Sequence, residues 1–204
     1  MLKLMQRPGE RLIIFTRYPE PGRAKTRLIP ALGAEGAADL HRRLTERTLA
    51  TARRLATLRK LTLEIRYAGG DAALMRQWLG GGLHLRAQGD GDLGARMREA
   101  FREAFEEGCY GVVLIGTDCP SIAPATLLSA FTALGENELV IGPARDGGYY
   151  LIGLRRAIPQ LLEDIAWGTD GVLRHTLQIA ARLDLRYCLL EQLDDIDRPE
   201  DLPS

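Results

Sequence analysis

"RLIIFTRYPEPGRAKTRL", residues 11–28, joins two kinds of sequence with different structural preferences. Its first part, RLIIFT, is a short apolar run with β-branched and aromatic side chains, which is typical of a buried strand. The remainder is a loop that Pro19 and Pro21 stiffen and Gly22 loosens. A buried strand that leads into a polar loop is the usual beginning of a parallel, helix-covered sheet.

The same alternation continues along the chain and predicts its fold class. Strands are predicted at 11–16, 60–68, 110–116, 138–142, 149–154 and 186–191, and helices at 34–58, 71–79, 92–107, 124–134 and 170–183. This order predicts an α/β three-layer sandwich with a mostly parallel central sheet. No internal repeat or low-complexity linker interrupts it, so we expect a single domain over residues 1–204.

Composition excludes several classes of partner. Lys plus Arg and Asp plus Glu are equal at 27 each, so no overall cationic field would attract nucleic acid or a membrane surface. No apolar run approaches the roughly 20 residues that span a bilayer, and the N-terminus lacks the apolar core of a signal peptide. The three cysteines show no CxxC spacing, which favours reduced thiols. We therefore expect a cytoplasmic protein.

Polar motifs directly follow four of the predicted strands. They are TRYPEPGRAKTRL, TDCPS, PARDGGYY and DDIDRPEDL. In open α/β sheets, ligands bind at the carboxyl ends of the strands. The four motifs are therefore predicted to meet at one edge of the sheet and to form one site.

The first motif carries three cations in five residues. Arg23 and Arg27 offer planar forks, Lys25 offers a mobile point charge, and Gly22 allows backbone N–H groups to approach a ligand closely. This combination suits phosphate, with Lys25 exposed at the rim. A solvated basic turn is the alternative interpretation.

The other three motifs contain carboxylates and glycines that could form a binding site. Asp118 and Asp197 could hold Mg²⁺ or Mn²⁺, which prefer oxygen ligands, although each could instead cap a turn or helix. Asp146, Gly147 and Gly148 could form a tight turn between two strands or allow a ligand to approach the backbone. Both interpretations of each motif stay open at the level of sequence.

Several other reactive side chains are predicted to have packing or surface roles. His41, His84 and His175 lack metal-ligand spacing. Cys119 follows Asp118, whose negative charge would raise rather than lower the pKa of a thiol. Trp167 is expected to anchor a loop, with the wall of a pocket as the alternative role.

Taken in order, the motifs resemble a known superfamily. FTRYPEPGRAKTRL, QGDGDLGARM, IGTDCPSI, GPARDGGYYLIGL, AWGTDGVL and DDIDRPED resemble the nucleotide-diphospho-sugar transferases, which have a Rossmann-like glycosyltransferase A-type fold. More narrowly, they resemble the radical-SAM/selenodomain-associated transferase family, over about residues 12 to 202. Phospholactate and molybdenum-cofactor guanylyltransferases are related to these proteins.

The resemblance implies roles for individual residues. AKTRL is similar to a phosphate-binding loop, which implicates Lys25 and Arg27 in holding nucleotide phosphates, and QGDGDLGARM implies base contacts for Gln88 and Gly94. Asp118 matches the superfamily's metal aspartate and Asp197 its closing aspartate. Two departures affect the local geometry. Arg198 stands where threonine is usual, and FTRYP stands where relatives commonly read FAKAP.

These implications favour a divalent-metal-dependent transferase that uses Mg²⁺ or Mn²⁺. Lys25, Arg27 and Asp118 are the predicted catalytic residues, Gly22 and Arg23 are added to the nucleotide-binding set, and Asp146, Gly147 and Gly148 bind substrate. The single aspartate of TDCPS and the basic loop favour nucleotidyl transfer from an NTP to a small phosphorylated acceptor. Glycosyl transfer from a nucleotide-diphospho-sugar and a non-catalytic nucleotide-binding module are the alternatives. The sequence leaves monomer and homodimer open.

Overall fold

A seven-stranded sheet organises the chain in the computed structural model, which describes residues 9–202. The strands are β1 Glu10–Arg17, β2 Thr62–Ala68, β3 His84–Ala87, β4 Gly111–Ile115, β5 Leu139–Pro143, β6 Tyr149–Leu154 and β7 Tyr187–Leu189. The helices are α1 Ile29–Leu58, α2 Ala72–Leu79, α3 Leu93–Glu106, α4 Pro124–Ala133 and α5 Val172–Arg182. Short 3₁₀ turns occupy Thr26–Leu28, Pro159–Leu162 and Pro199–Asp201.

The strand order is β3-β2-β1-β4-β6-β5-β7. Strand β6 pairs antiparallel with both β4 and β5, and all other pairs are parallel. The prediction of a mostly parallel sheet is therefore confirmed. The carboxyl ends of β1, β4 and β5 lie at the same edge, where their loops can meet.

Helices cover both faces of the sheet, as the alternation of side chains along β1 illustrates. Ile13 and Phe15 pack in a core that includes residues of α3 and α5. Leu12 and Ile14 point to the opposite face and pack with residues of α1, α2 and α4. The three-layer α/β sandwich is confirmed.

All five predicted helices are present, with differences at their ends. Helix α1 begins before the predicted residue 34, but Gly33 breaks its regular geometry with φ 70° and ψ 169°. An L-residue with a side chain strongly disfavours this φ, so the glycine explains the kink. Within residues 9–202, no helix has both the length and the apolar character that crossing a membrane requires.

Strand β3 was missed by the sequence patterns. Its four residues, HLRA, are partly or fully exposed and contain little apolar alternation. The strand exists because it pairs with β2 at the edge of the sheet. Such pairing depends on the neighbouring strand and leaves little trace in the local sequence.

Buried ion pairs attach α3 to the sheet. Glu64 of β2, whose side chain is 1% exposed, pairs with Arg11 at 2.8 Å and with Arg66. Arg66 also pairs with Glu103 of α3 at 2.5 Å, and Arg86 of β3 pairs with the same carboxylate at 2.9 Å. These contacts fix the rotation of α3, whose first residues lie at the carboxyl edge of the sheet.

Replacing Glu64 should test this attachment. The change Glu64→Gln removes one carboxylate partner from each of two buried guanidinium groups, while Arg11 keeps Glu107 and Arg66 keeps Glu103. The free energy of unfolding should fall by about 3 kcal/mol, the lower end of the usual range for a broken buried pair. Urea denaturation followed by circular dichroism measures the loss. Glu99→Gln is the control on α3, because Glu99 pairs with the exposed Arg102 and such pairs contribute little. Equal urea midpoints for the two variants would contradict a stabilising role of the buried ion pairs.

Candidate active site

A cleft of about 520 Å³ opens at the carboxyl edge of the sheet. Each of the four polar motifs contributes to its lining, through Lys25, Asp118, Asp146 and Asp197 among others. These residues are far apart in sequence, and the shared edge of the parallel strands brings them together. The predicted convergence on one edge of the sheet is therefore observed.

Lys25 lies between two carboxylates. Its Nζ is 2.7 Å from Oδ1 of Asp118 and 3.7 Å from Oδ1 of Asp197, and it donates to the carbonyl oxygen of Ile196. The side chain is 3% exposed, so the expectation of an exposed rim lysine is wrong. Lys25 also adopts the left-handed conformation, with φ 49° and ψ 45°, at a typical cost of about 1–2 kcal/mol. Contacts at the cleft hold it there.

The C-terminal segment brings Asp197 to this lysine. The N–H of Ile196 donates to the carbonyl oxygen of Asp118 at 2.8 Å, which ties the segment to the end of β4. Arg27 then binds Oδ2 of Asp197 at 2.5 Å. The N–H groups of Asp197 and Arg198 both donate to Asp201, so the turn closes through backbone groups although Arg198 replaces the usual threonine.

The acidic groups around Lys25 fit a divalent cation with open coordination positions. Asp118 and Asp197 are 46% and 33% exposed, so their oxygens are accessible from the cleft while both point to one cationic group. Two carboxylates, with phosphates and water as further ligands, are a typical Mg²⁺ or Mn²⁺ environment. Among residues 9–202, no three His, Cys, Asp or Glu side chains are grouped as a metal site.

Asp195 lies beside these carboxylates in the lining of the cleft. Burial raises the pKa of Asp195 to about 6, and the negative charges of Asp146 and Asp118 act in the same direction. The cleft thus concentrates negative charge near Lys25. This crowding is electrostatically unfavourable unless cations offset it.

The Asp146-Gly147-Gly148 sequence forms the turn between β5 and β6. Oδ1 of Asp146 accepts a hydrogen bond from the N–H of Gly148 at 2.8 Å, and both residues line the cleft. Gly147 has φ 89°, and a Cβ there would lie 2.2 Å from the carbonyl oxygen of Asp170. Gly147 itself is not part of the lining, and it allows the turn to pack against the start of α5.

The side-chain amide of Gln88 is engaged within the protein. Nε2 donates to the carbonyl oxygens of Thr16 at 2.8 Å and Arg66 at 3.1 Å. Because both partners are carbonyl oxygens, only the NH₂ end of the amide can face them. The carbonyl end faces Nη1 of Arg96 at 3.5 Å. Gln88 lines the cleft, but its two amide hydrogens are already used.

Three other predicted site residues lie outside the lining. Gly22 and Arg23 are exposed on the loop, where Arg23 pairs with Glu20 at 3.5 Å. Gly94 is buried at the start of α3, and a Cβ there would lie 2.3 Å from the carbonyl oxygen of Leu162 and 2.8 Å from Nε1 of Trp167. The structure therefore gives Gly94 a role in packing the wall of the cleft.

Comparison with known proteins agrees with this fold. Residues 51–169 match the family described as "Uncharacterized protein conserved in bacteria (DUF2064)". A provisionally named nucleotide-diphospho-sugar transferase from Desulfovibrio desulfuricans G20 is 36% identical, with a TM-score of 0.86, over 93% of this chain and 82% of that chain. The chain belongs to the DUF2064 family. No curated protein matches the sequence.

More distant structures share the fold of this DUF2064 protein. The inositol-1-phosphate CTP transferase from T. maritima is 16% identical, with a TM-score of 0.58, over 97% of this chain and 93% of that chain. Rv0371c from Mycobacterium tuberculosis H37Rv, solved in complex with manganese, is 21% identical, with a TM-score of 0.57, over 94% of each chain. At these identities the likeness establishes the fold alone.

Sequence reasoning missed several residues that line the cleft of the DUF2064 protein. They are Arg17, His41, Arg96 and Tyr149. Arg17, Arg96 and Tyr149 stand in the quoted segments TRYPEPGRAKTRL, QGDGDLGARM and PARDGGYY, so their place beside the ends of predicted strands was a signal that could have found them. His41 is a lone side chain in a helix and carries no such signal.

Two groups that were expected to pack do so, although both also line the cleft. Cys119 is buried, and burial raises the pKa of its thiol to about 11, which disfavours a nucleophilic thiolate. His41 is buried on α1, with Nε2 3.0 Å from the carbonyl oxygen of Arg17. Burial lowers the pKa of His41, which favours the neutral imidazole.

The clearance at Gly94 generates a test of the cleft wall. Gly94→Ala should force the segment at Leu162 and Trp167 away from α3 and lower the free energy of unfolding by about 1–3 kcal/mol, with a change in tryptophan fluorescence. Gly81→Ala is the control, because a Cβ there meets open space. Thermal and urea unfolding measure both variants. If the two alanine variants unfold with the same free energy, the close contact at Gly94 is not required for the packing of the cleft wall.

Proposed function

We propose that this protein is a divalent-metal-dependent transferase that moves a nucleotidyl group from an NTP to a small phosphorylated acceptor. The observation that carries the proposal is the position of Lys25 and Arg27 against Asp118 and Asp197 at the carboxyl edge of the sheet. A cationic loop beside paired carboxylates can accept both a phosphate chain and the cation that accompanies it.

The relatives support a transferase that uses a nucleotide. The D. desulfuricans relative is named as a nucleotide-diphospho-sugar transferase, and the T. maritima structure is a CTP transferase for inositol 1-phosphate. The M. tuberculosis structure holds manganese. Each statement concerns that relative, and the geometry of the present cleft is compatible with all of them.

Asp118 and Asp197 would hold Mg²⁺ or Mn²⁺. When bound, the ion would supply positive charge that polarises the α-phosphate and offsets the charge of the leaving group. Lys25 and Arg27 would bind the phosphate oxygens and orient the chain, while the walls of the cleft exclude bulk water. The reacting oxygen of the acceptor forms a bond to the α-phosphorus, the bond to the β-phosphate breaks, and pyrophosphate leaves.

Glycosyl transfer is a second candidate, because the 36% identical relative is named for nucleotide-diphospho-sugars. In that reaction an acceptor hydroxyl attacks the anomeric carbon and a nucleoside diphosphate leaves. The single aspartate at the end of β4 and the cationic loop favour nucleotidyl transfer, since a triphosphate and its pyrophosphate product carry more negative charge. A non-catalytic nucleotide-binding module would bind without turnover.

A product assay separates these functions. With Mn²⁺ and a panel of NTPs, nucleotide-diphospho-sugars and phosphorylated small-molecule acceptors, we expect release of pyrophosphate from one NTP. Asp118→Asn should reduce the rate by at least about 100-fold, because the amide has the shape of the carboxylate without its charge. Release of a nucleoside diphosphate would identify glycosyl transfer instead. Tight nucleotide binding with no product would support the binding module.

The position of Lys25 generates a second test. It separates two roles of the lysine, pairing with the two carboxylates and binding of nucleotide phosphates. Lys25→Met removes the internal cation that the two carboxylates now share. We expect affinity for Mn²⁺ alone to rise by about 10-fold, because the metal no longer competes with an ammonium group. Affinity for the Mn²⁺–nucleotide complex should fall by about 10- to 150-fold, the usual worth of a charge-assisted hydrogen bond. Calorimetric titration measures both.

Melting temperatures complete this test. Lys25→Met leaves Asp118 without its ammonium partner, while Asp197 keeps its pair with Arg27. The melting temperature without metal should therefore fall, and Mn²⁺ should restore it more than it stabilises the parent. Lys60→Met is the control, because Lys60 is exposed on the loop before β2. If Lys25→Met loses nucleotide affinity with no change in metal affinity, Lys25 does not compete with the metal.

A further inference from the structure

Arg96 is a cationic group in the cleft that has no carboxylate partner among residues 9–202. It stands in the first turn of α3, and its guanidinium lines the cleft. Its hydrogen-bond contact in the described part of the chain is a long one, 3.5 Å from Nη1 to the carbonyl oxygen of Gln88. Nε of Arg96 is buried and has no hydrogen-bond partner within residues 9–202. The charge of Arg96 is therefore not offset by the residues around it.

Three arginines that contact α3 differ from Arg96 in having carboxylate partners. Arg66 and Arg86 pair with Glu103, and Arg102 pairs with Glu99 on the same helix. Arg98 of α3 makes a direct hydrogen bond of 2.9 Å to the carbonyl oxygen of Leu162. Removing a guanidinium from water without a counter-charge costs free energy, and a buried N–H without an acceptor adds to that cost. A half-buried, unpaired arginine at a cleft is a group whose partner is expected to come from the ligand.

Gln88 holds the remaining contact of Arg96 in a fixed orientation. Its NH₂ group bridges the carbonyl oxygens of Thr16 on β1 and Arg66 on β2, so its carbonyl oxygen can face only the guanidinium. A neutral amide oxygen orients Arg96 but does not neutralise it. Nε is buried, so the Nη groups are the donors that stay available to the oxygens of an oxyanion.

The wall around Arg96 is apolar and aromatic. Met97 lies beside it on α3, and the rings of Tyr149 and Trp167 pack edge to face with their centroids 6.2 Å apart. Trp167 is positioned by contact with Gly94, two residues before Arg96 on α3. This part of the cleft therefore combines one unpaired cation with surfaces that suit the carbon skeleton of a small molecule.

We propose that Arg96 binds an oxyanion of the substrate, a phosphate or carboxylate group, at a subsite separate from the phosphate loop of Lys25 and Arg27. The loop cations are already paired with Asp118 and Asp197, whereas Arg96 carries uncompensated charge on α3. A neutral base carbonyl would satisfy the hydrogen bonds but not the charge, which favours an anion. The assignment deepens the proposed function by giving the cleft two points of anion recognition.

Binding measurements test the assignment without requiring turnover. The probes are inorganic phosphate, pyrophosphate and a panel of NTPs, titrated calorimetrically into the parent, Arg96→Gln, Arg96→Lys and the control Arg102→Gln. Phosphate is also titrated into protein that is saturated with its preferred NTP. We expect Arg96→Gln to weaken oxyanion binding by about 10- to 150-fold, with a smaller loss for Arg96→Lys, which keeps the charge but loses the planar fork.

The two sources of the oxyanion give different patterns. A loss of NTP and pyrophosphate affinity in Arg96→Gln would place a nucleotide phosphate on Arg96. Unchanged NTP affinity with loss of phosphate binding to the NTP-saturated protein would place the acceptor's anionic group there. Unchanged affinity for all probes, or no binding of any of these anions by the parent, would overturn the assignment.

Folding and the proposed function are controlled separately. If Arg96→Gln does not fold, Arg96→Lys carries the comparison, because the lysine retains a cation at the same position. If the parent binds no NTP, nucleotidyl transfer fails as a function, but phosphate binding by the parent and by Arg96→Lys still decides whether Arg96 is an oxyanion site. Arg102→Gln should match the parent with every probe, because Arg102 pairs with surface carboxylates on the same helix.

Discussion

The ion pairs of Lys25 with Asp118 and Asp197 join the parts of the chain on which the cleft depends. Lys25 belongs to the loop after β1, Asp118 follows β4, and Asp197 belongs to the C-terminal segment. The contact therefore closes three separate segments around one ammonium group. Without a cation at this point, the two carboxylates would repel each other, and the segment that carries Asp197 would keep its pair with Arg27 but lose its pair with Lys25. An internal lysine thus occupies the position between the two carboxylates that a divalent cation, bound together with a substrate, would share.

The walls of the cleft depend on close packing as much as on charge. Gly94 and Gly147 leave no room for a Cβ, because the carbonyl oxygens of Leu162 and Asp170 occupy that space. These contacts bring the start of α3 and the start of α5 against the turns that line the cleft. The buried pairs of Glu64 and Glu103 set the rotation of α3 from the other side. Charge and steric clearance together orient Arg96, which makes α3 both a structural element and part of the site.

The charged and polar residues of the cleft differ in how well the sequence alone predicted their positions. The cationic loop, the two aspartates and the DGG turn were predictable because each follows an apolar strand, and strand ends in a parallel sheet share an edge. Gly22 and Arg23 belong to the same loop but lie outside the cleft, because this loop reaches the lining only with its consecutive residues 24–27. The existence of strand β3 and the burial of the Lys25 side chain could not be predicted from the residues next to them in sequence. Both depend on neighbours that are distant in the chain: β2 for the strand, and Asp118 with Asp197 for the lysine.

By itself, the sequence determined the alternation of strands and helices, the edge at which polar motifs gather, and the types of charged group available there. These properties are local, since periodic apolar patterns and turn residues act over a few positions. Only the tertiary structure decided which charges are already paired and which are not. Lys25 is buried between two carboxylates. The side-chain NH₂ group of Gln88 donates both of its hydrogens to backbone carbonyl oxygens of β1 and β2. Arg96 has no anionic partner within residues 9–202. Pairing depends on distances of a few ångströms between side chains that are tens of residues apart, because electrostatic and hydrogen-bond energies fall off steeply with separation.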